Sequence, residues 1–297
     1  MRSAHMPLQL EAMRRPRGSS RMFRAARIIH PFPTLLTVVA TAALAFIAAR
    51  GVPGWRQLTT MLLVMLCAQS AIGVTNDLFD RELDARTKPW KPLVAGVVSI
   101  RAAVMLAIGL TLTSVTVAAM LGLAAGGLAV LGLACGIAYD VRLKRTMFSA
   151  LPYMVGIPVL PLWVWTVDGD WHPVMWWLAP LGALIGLALH LANTLPDIDD
   201  DAAYGVRGLA HRLGARDSML VEWASFGGAL ALSAAIGPFA TYDWRVYTPT
   251  AAFGAACLAA TVALYAMRRD RFALQSGFAI LGVGSAVLAA GWLAAVS

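Results

Sequence analysis

The stretch QLTTMLLVMLCAQSAIGVTNDLFDRELD, residues Gln57–Asp84, decides the architecture of this chain. Its first twenty residues carry no formal charge, and the next eight carry four carboxylates. A bilayer core about 30 Å thick needs roughly 20 apolar helical residues. Gln57–Asn76 therefore reads as one membrane crossing that ends abruptly at an acidic, water-facing boundary.

The same rule divides the rest of the sequence. Stretches free of Asp, Glu, Lys and Arg run over Ile28–Ala49, Gln57–Asn76, Ala102–Tyr139, Thr146–Val167, Trp171–Pro196, Trp223–Tyr242, Val246–Met267 and Phe272–Ser297. Seven have single-span length. Ala102–Tyr139 is long enough for two, with a glycine-rich turn expected at Leu121–Gly127. The expectation is an all-α, polytopic membrane protein of nine transmembrane helices.

Composition agrees. Of 297 residues, 59% are apolar and 13% charged, and mean hydropathy is +0.68. A soluble domain carries a charged share of about a quarter, so this chain cannot cover itself with polar surface. The cysteines Cys67, Cys135 and Cys257 sit inside apolar runs at no metal-ligand spacing and read as reduced hydrophobes. Net charge is +8, which could indicate nucleic acid. The basic residues instead border the uncharged runs, where a membrane accounts for them.

Orientation follows from those borders. With nine spans and the N-terminus inside, every Lys and Arg except Arg50, Arg56 and Arg245 falls on the cytoplasmic side. That asymmetry is what membrane insertion selects. Trp55, Trp171 and Trp244 then mark the opposite interface. Residues 1–26 read as a basic cytoplasmic tail, with no small-residue cleavage site after it, and 27–297 as the membrane domain.

Two acidic segments echo each other at the inner boundary. Asn76, Asp80 and Asp84 are spaced by four, as are Asn193, Asp197 and Asp201. On an α-helix such residues share a face. The copies lie four spans apart, which suggests two four-helix units plus a ninth helix, with both stripes at one membrane face. Gathered carboxylates repel unless a cation joins them. All-oxygen ligands suit Mg²⁺, which takes one or two carboxylates and completes its shell with water and phosphate. Arg86, Lys88 and Lys91 follow the first run; Arg142, Lys144 and Arg145 lie between the runs; Arg207, Arg212 and Arg216 follow the second. Beyond topology, such cations suit a diphosphate, and Lys144, just after Tyr139-Asp140 at a span edge, is the foremost of them.

These motifs resemble the UbiA family of membrane prenyltransferases. NDLFDRELD (Asn76–Asp84) fits the family's Asn-Asp-x-x-Asp-x-x-x-Asp pattern, and DIDDD (Asp197–Asp201) its second Asp motif. RTKPWKPLVAG (Arg86–Gly96) is similar to the usual continuation, with Trp90-Lys91 where many members have Arg-Pro. AYGVRGLAHRLG (Ala203–Gly214) resembles the branch of homogentisate prenyltransferases and chlorophyll synthases. Tyr139 and Lys144 match the Tyr-and-Lys segment after the fourth helix, and His30–Thr34 the entry to the first.

The resemblance implies nine helices around a central cavity, with Mg²⁺ and a prenyl diphosphate (farnesyl, geranylgeranyl or longer) at the cytoplasmic mouth. It implies metal ligation by Asn76, Asp80, Asp197 and Asp201 with Asp84 in support, and transfer to an aromatic or other lipophilic acceptor. Tyr139, Lys144 and Asp84 become the expected catalytic residues. Arg86, Lys88, Lys91, Arg145 and Asn193 become the expected substrate-binding residues. His190 reads as a neutral histidine bonded between helices, with proton acceptance as its rival role. Trp163 and Trp165 read as core or lipid-facing, with a ring face for the allylic cation as their rival role. The same ionising site would also serve a terpene cyclase that needs no acceptor. A transporter is the rival from another class, and the uncharged interior argues against it.

Overall fold

A computed structural model describes residues 21–168, 171–198, 202, 205–268 and 270–296. Among these, nine helices are long and apolar enough to span a bilayer. They are α1 (Pro31–Ala48), α2 (Trp55–Phe79), α3 (Ile100–Ala119), α4 (Leu123–Val141), α5 (Leu151–Asp168), α6 (Pro173–Asp197), α7 (Leu209–Ile236), α8 (Trp244–Met267) and α9 (Arg271–Val296). The last residues of the expected tail, Arg21–Ala26, form a short helix.

Local chemistry sets the ends. Pro31 opens α1, where a missing N–H costs nothing. The Ser99 hydroxyl accepts from the Ala102 N–H at the start of α3, and Asp243 caps α8 through the Arg245 N–H. The α3–α4 turn is tighter than expected. It occupies Met120–Gly122, and Leu123–Gly127 are already helical. Gly122 makes this possible with φ of 105°, a region closed to side chains. Helix α7 begins well before the uncharged run at Trp223, and it bends at Gly214, where φ is 77°. Its charged first turns project beyond the apolar layer, which is why charge gaps underestimated it.

Helices adjacent in sequence pack against each other from α1–α2 to α8–α9, and α4 also meets α2 directly across the fold. α9 reaches back to α6 and α1, and α1 touches α5, so the bundle closes on itself. Two prolines, Pro158 and Pro161, lie inside α5, each removing a ladder hydrogen bond. The neighbouring helix approaches there without side chains. A Cβ at Gly182 would stand 2.6 Å from Pro158, and one at Gly186 would stand 2.4 Å from the Tyr153 carbonyl oxygen. This small-x-x-x-small seam draws α5 and α6 together, as van der Waals packing requires where lipid supplies no hydrophobic drive.

The outward faces are apolar: Leu36, Val39, Met105, Leu112 and Val283 are all exposed. Water would make that surface costly, whereas acyl chains match it. Trp55, Trp171 and Trp244 are exposed at one end of the bundle, as interfacial rings should be, and Trp176 joins them there. Inside, one large cluster includes Leu44, Met61, Val64, Trp163, Trp165, Ile236 and Trp292. Both Trp163 and Trp165 are thus core residues, as expected.

Candidate active site at the mouth of the bundle

Helix α2 ends where its sequence turns acidic. Asp80 leaves helical geometry (φ −94°, ψ 5°) and separates α2 from a short helix, Arg81–Thr87. The first stripe is therefore not one continuous helix. The spacing by four survives nonetheless, because Asp80 N–H donates to the Asn76 carbonyl (2.9 Å) and Asp84 N–H to the Asp80 carbonyl (2.7 Å). The second copy bends as well. Asn193 lies in the last α turn of α6, and Pro196 turns the chain into a 3-10 turn over Leu195–Asp197. Asp201 lies outside the described residues.

Asn76 binds two carboxylates at once. Its Nδ2 donates to Asp80 Oδ2 (3.0 Å) and to Asp140 Oδ1 (2.9 Å). Two acceptors on one side fix the amide nitrogen there and turn Oδ1 the other way. Lys144 Nζ lies 2.6 Å from Asp80 Oδ2 and 3.6 Å from Asp140 Oδ1, and Arg145 is 3.5 Å from Asp80 Oδ1. Asp140 is buried, and its Oδ2 has no partner among the described residues.

A second ionic group lies deeper. Asp77 Oδ1 meets His30 Nε2 and Lys91 Nζ, each at 2.8 Å, and Lys91 also reaches Asp84 Oδ2 at 2.6 Å. Both carboxylates are 2% exposed, so an unpaired charge here would be severely penalised. Burial pushes the Asp84 carboxyl above its ordinary range, against the pull of Lys91. Burial would lower Lys91, but the hydrogen bonds and charges of Asp77 and Asp84 outweigh it and hold the ammonium above the ordinary lysine range. His30 takes part from a left-handed conformation (φ 51°, ψ 66°). It fits because Gly73 of α2 leaves room: a Cβ there would stand 3.1 Å from the His30 ring.

An aromatic wall faces these groups. Tyr139 of α4 and Tyr153 of α5 meet edge to face at 5.4 Å, and both rings pack on His190 of α6. Asn193 Nδ2 lies 3.4 Å from the Tyr153 hydroxyl. His190 is buried, with Nε2 2.9 Å from Ser149 Oγ, which itself accepts from the Leu209 N–H. That matches the interhelical reading of this histidine.

Behind the mouth lies a cavity of about 690 Å³. Asn76, Tyr139, Asp140, Tyr153 and Asn193 line its polar end, and Val64, Met65, Leu128, Leu160 and Trp163 its apolar end. The walls come from α1, α2, α4 and α5, with Asn193 of α6. Asn76 and Asn193, the first members of the two echoing motifs, open onto this one space.

The model of the UbiA prenyltransferase family matches residues 35–247 of this chain. The chain belongs to that family. The 4-hydroxybenzoate octaprenyltransferase of Vibrio parahaemolyticus is 27% identical over 238 residues, 76% of this chain and 82% of the relative. The digeranylgeranylglyceryl phosphate synthase of Methanoregula boonei is 30% identical over 196 residues, 65% and 70% of the two chains. A UbiA homologue from Archaeoglobus fulgidus, solved bound to GPP and Mg²⁺, superposes with a TM-score of 0.71 over 90% of this chain and 99% of that one, at 16% identity. A structure of digeranylgeranylglyceryl phosphate synthase gives 0.73 over 93% and 98%, at 14% identity. The fold is thus that of UbiA membrane proteins, and the chain is a prenyltransferase by family.

In this UbiA prenyltransferase no three His, Cys, Asp or Glu side chains among the described residues converge into a closed metal cage. A closed cage is not what Mg²⁺ with a diphosphate needs. Asn76 Oδ1, the Asp80 carboxylate and the orphaned Asp140 Oδ2 are hard oxygen donors gathered at one mouth, and they fit that ion. Asp197, at the end of α6, is half-exposed and paired with Arg271 of α9, and it is not among the residues lining the cavity. Arg86 and Lys88 are exposed at the same end of the bundle.

Sequence reading of the UbiA motifs left four neighbours without roles. Asp77 stood inside the first acidic run, and Asp140 directly followed Tyr139. Asp140 carried a usable signal, since it is four residues before Lys144 on a helix end. His30 was seen only as the entry to α1, and nothing in sequence marked Tyr153.

Proposed function

We propose that this prenyltransferase ionises an allylic prenyl diphosphate with Mg²⁺ and transfers the prenyl group to a lipophilic, aromatic acceptor. The observation that carries this reading is the cavity itself: Asn76, Asp140 and Asn193 at one end, with Lys144 and Asp80 paired beside Asp140, and apolar walls behind. Relatives named for 4-hydroxybenzoate prenylation and a neighbour solved with GPP and Mg²⁺ support it. They also favour transfer over cyclisation, because the curated relatives quoted are named for joining a chain to an acceptor or for synthesising a prenylated glyceryl phosphate.

When bound, Mg²⁺ would neutralise charge on the diphosphate oxygens as the allylic C–O bond breaks. Asn76 and Asp80 would hold it from α2, and Asn193, Asp197 and Asp201 would complete the opposite side, Asn193 also touching substrate. Asp84 supports the first set from below through Lys91. Lys144 and Arg145, with Arg86 and Lys88, would hold the departing diphosphate. Tyr139 and Tyr153 turn their rings to the cavity, and a π face stabilises an adjacent cation. The apolar walls keep water from that cation until the acceptor reaches it. The basic residues bordering this end support a cytoplasmic mouth and N-terminus.

The test is incubation of the purified protein with Mg²⁺ and geranylgeranyl diphosphate, with and without 4-hydroxybenzoate. Acceptor-dependent release of diphosphate and a prenylated aromatic product are expected. A cyclic hydrocarbon formed without acceptor would replace transfer by cyclisation. No diphosphate release under any of these conditions would reject the reading.

A further inference from the structure

Resting on the transferase reading, we propose that His30 is the base that takes the ring proton an aromatic acceptor loses on prenylation, with Asp77 as its orienting partner. His30 lines the cavity, and its side chain is 27% exposed. Its Nε2 lies 2.8 Å from Asp77 Oδ1, an oxygen that also meets Lys91. A buried carboxylate accepts, so the Nε2 proton of the neutral ring points at Asp77 and the free lone pair falls on Nδ1. Among the described residues Nδ1 has no hydrogen-bond partner, and it is not sealed in as His190 Nδ1 is. One nitrogen is held by a buried acid and the other is open to the cavity, the arrangement by which an aspartate orients a histidine base.

The backbone is bent to achieve this. Among the described residues, His30 and Arg50 alone combine a side chain with positive φ, a conformation that persists only where its surroundings over-determine it. Ile28 is buried against Val74, Leu93 and Ala103 on one side of the bend, and Pro31 opens α1 on the other. The His30 ring packs on Gly73, about one helical turn from Asn76, so the base lies close to the diphosphate end. Asp77 touches the ring from α2, and Lys91 and Asp84 lie behind Asp77. The reaction balances as follows. The allylic C–O bond breaks and its electron pair leaves with diphosphate. A π pair of the acceptor ring forms the new C–C bond, the proton of that ring carbon passes to Nδ1, and the C–H pair restores the aromatic ring. The imidazolium then gives its proton to water.

The experiment uses the purified protein with Mg²⁺, geranylgeranyl diphosphate and 4-hydroxybenzoate, ring-protiated or ring-deuterated. His30→Gln, whose amide can still donate to Asp77, should lower kcat for prenylated product by about 10²–10⁴-fold. Its KM for the donor should be unchanged, and its deuterium effect should exceed that of the unaltered protein because C–H cleavage becomes slow. Product formation within threefold of the unaltered protein, or equal deuterium effects in the two proteins, would overturn the assignment. Diethyl pyrocarbonate tests the unaltered protein directly, whether or not the variant folds. Inactivation should keep pace with modification of His30, read by peptide mass, and 4-hydroxybenzoate should slow both. A His30 that the reagent cannot reach, or one fully modified with activity kept, would overturn the assignment. No prenylated product from the unaltered protein would reject instead the aromatic-transfer reading on which it rests.

Discussion

Lys144 places its ammonium 2.6 Å from Asp80, in the gap that Asp80 and Asp140 leave between α2 and α4. With the two acids drawn together by Asn76, this amine balances charge that a divalent cation would otherwise balance. Lys144→Met should therefore lower turnover by about 10²–10³-fold, the usual loss when one preorganised electrostatic partner of a leaving group is removed. The same variant should show a larger rise in Tm on adding Mg²⁺ than the unaltered protein, because its carboxylates lack their internal counter-charge. Equal Mg²⁺ responses would show that the amine does not balance those acids.

Asp80→Ala and Asp197→Ala should each abolish measurable diphosphate release while leaving the protein monodisperse in detergent. Chelator should silence the unaltered protein and be reversed by added Mg²⁺. Full activity of either variant in excess chelator would exclude the metal-assisted route.

The buried bridge from Lys91 to Asp77 and Asp84 is a stability element. Asp77→Ala leaves Lys91 and His30 facing an empty site and should cost about 3–5 kcal/mol. In the Lys91→Met background the same change should cost less, since the two charges are coupled. Thermal unfolding of the four proteins in one detergent measures the cycle. The pH dependence has a definite sign. Lys91 is held above its ordinary value, so its contribution is complete below the ordinary lysine pKa of about 10.4 and is lost as pH rises through the raised value.

At the α5–α6 seam, Gly182→Leu would drive a side chain into Pro158, where even a Cβ stands at 2.6 Å. Overpacking of this kind costs about 1–3 kcal/mol or more. Because Pro158 borders the cavity-lining Ile157 and Val159, the variant should lose activity together with stability. Gly282→Leu, whose added Cβ meets nothing within 4 Å, should leave both unchanged when assayed alongside.

The number of spans was legible because the bilayer imposes a length on every apolar run, and Gln57–Asn76 and Trp171–Pro196 end within a few residues of α2 and α6. The start of α7 was not legible, because Arg212, Arg216 and Asp217 are compatible with helix outside the apolar layer, and charge marks the layer alone. At the site, spacing by four brought out Asn76, Asp80 and Asn193. It missed the break at Asp80, since propensity changes little between NDLF and RELD. The partnership of Asp77 with His30 joins positions 47 residues apart, and no local pattern encodes a contact between two helices. Tyr153 was hidden for the same reason, because its value lies in the ring it faces.

Among the described residues, the walls of the cavity belong to α1, α2, α4, α5 and the last turn of α6, whereas α7, α8 and α9 contribute none of its lining. Cavity walls and buttress are therefore different lengths of one polypeptide, joined where α7 and α9 pack on α6. Drift on the lipid-facing sides of the buttress can proceed while the reacting chamber keeps its shape. Such a division leaves a membrane enzyme free to vary its lipid-facing flank without changing what it accepts.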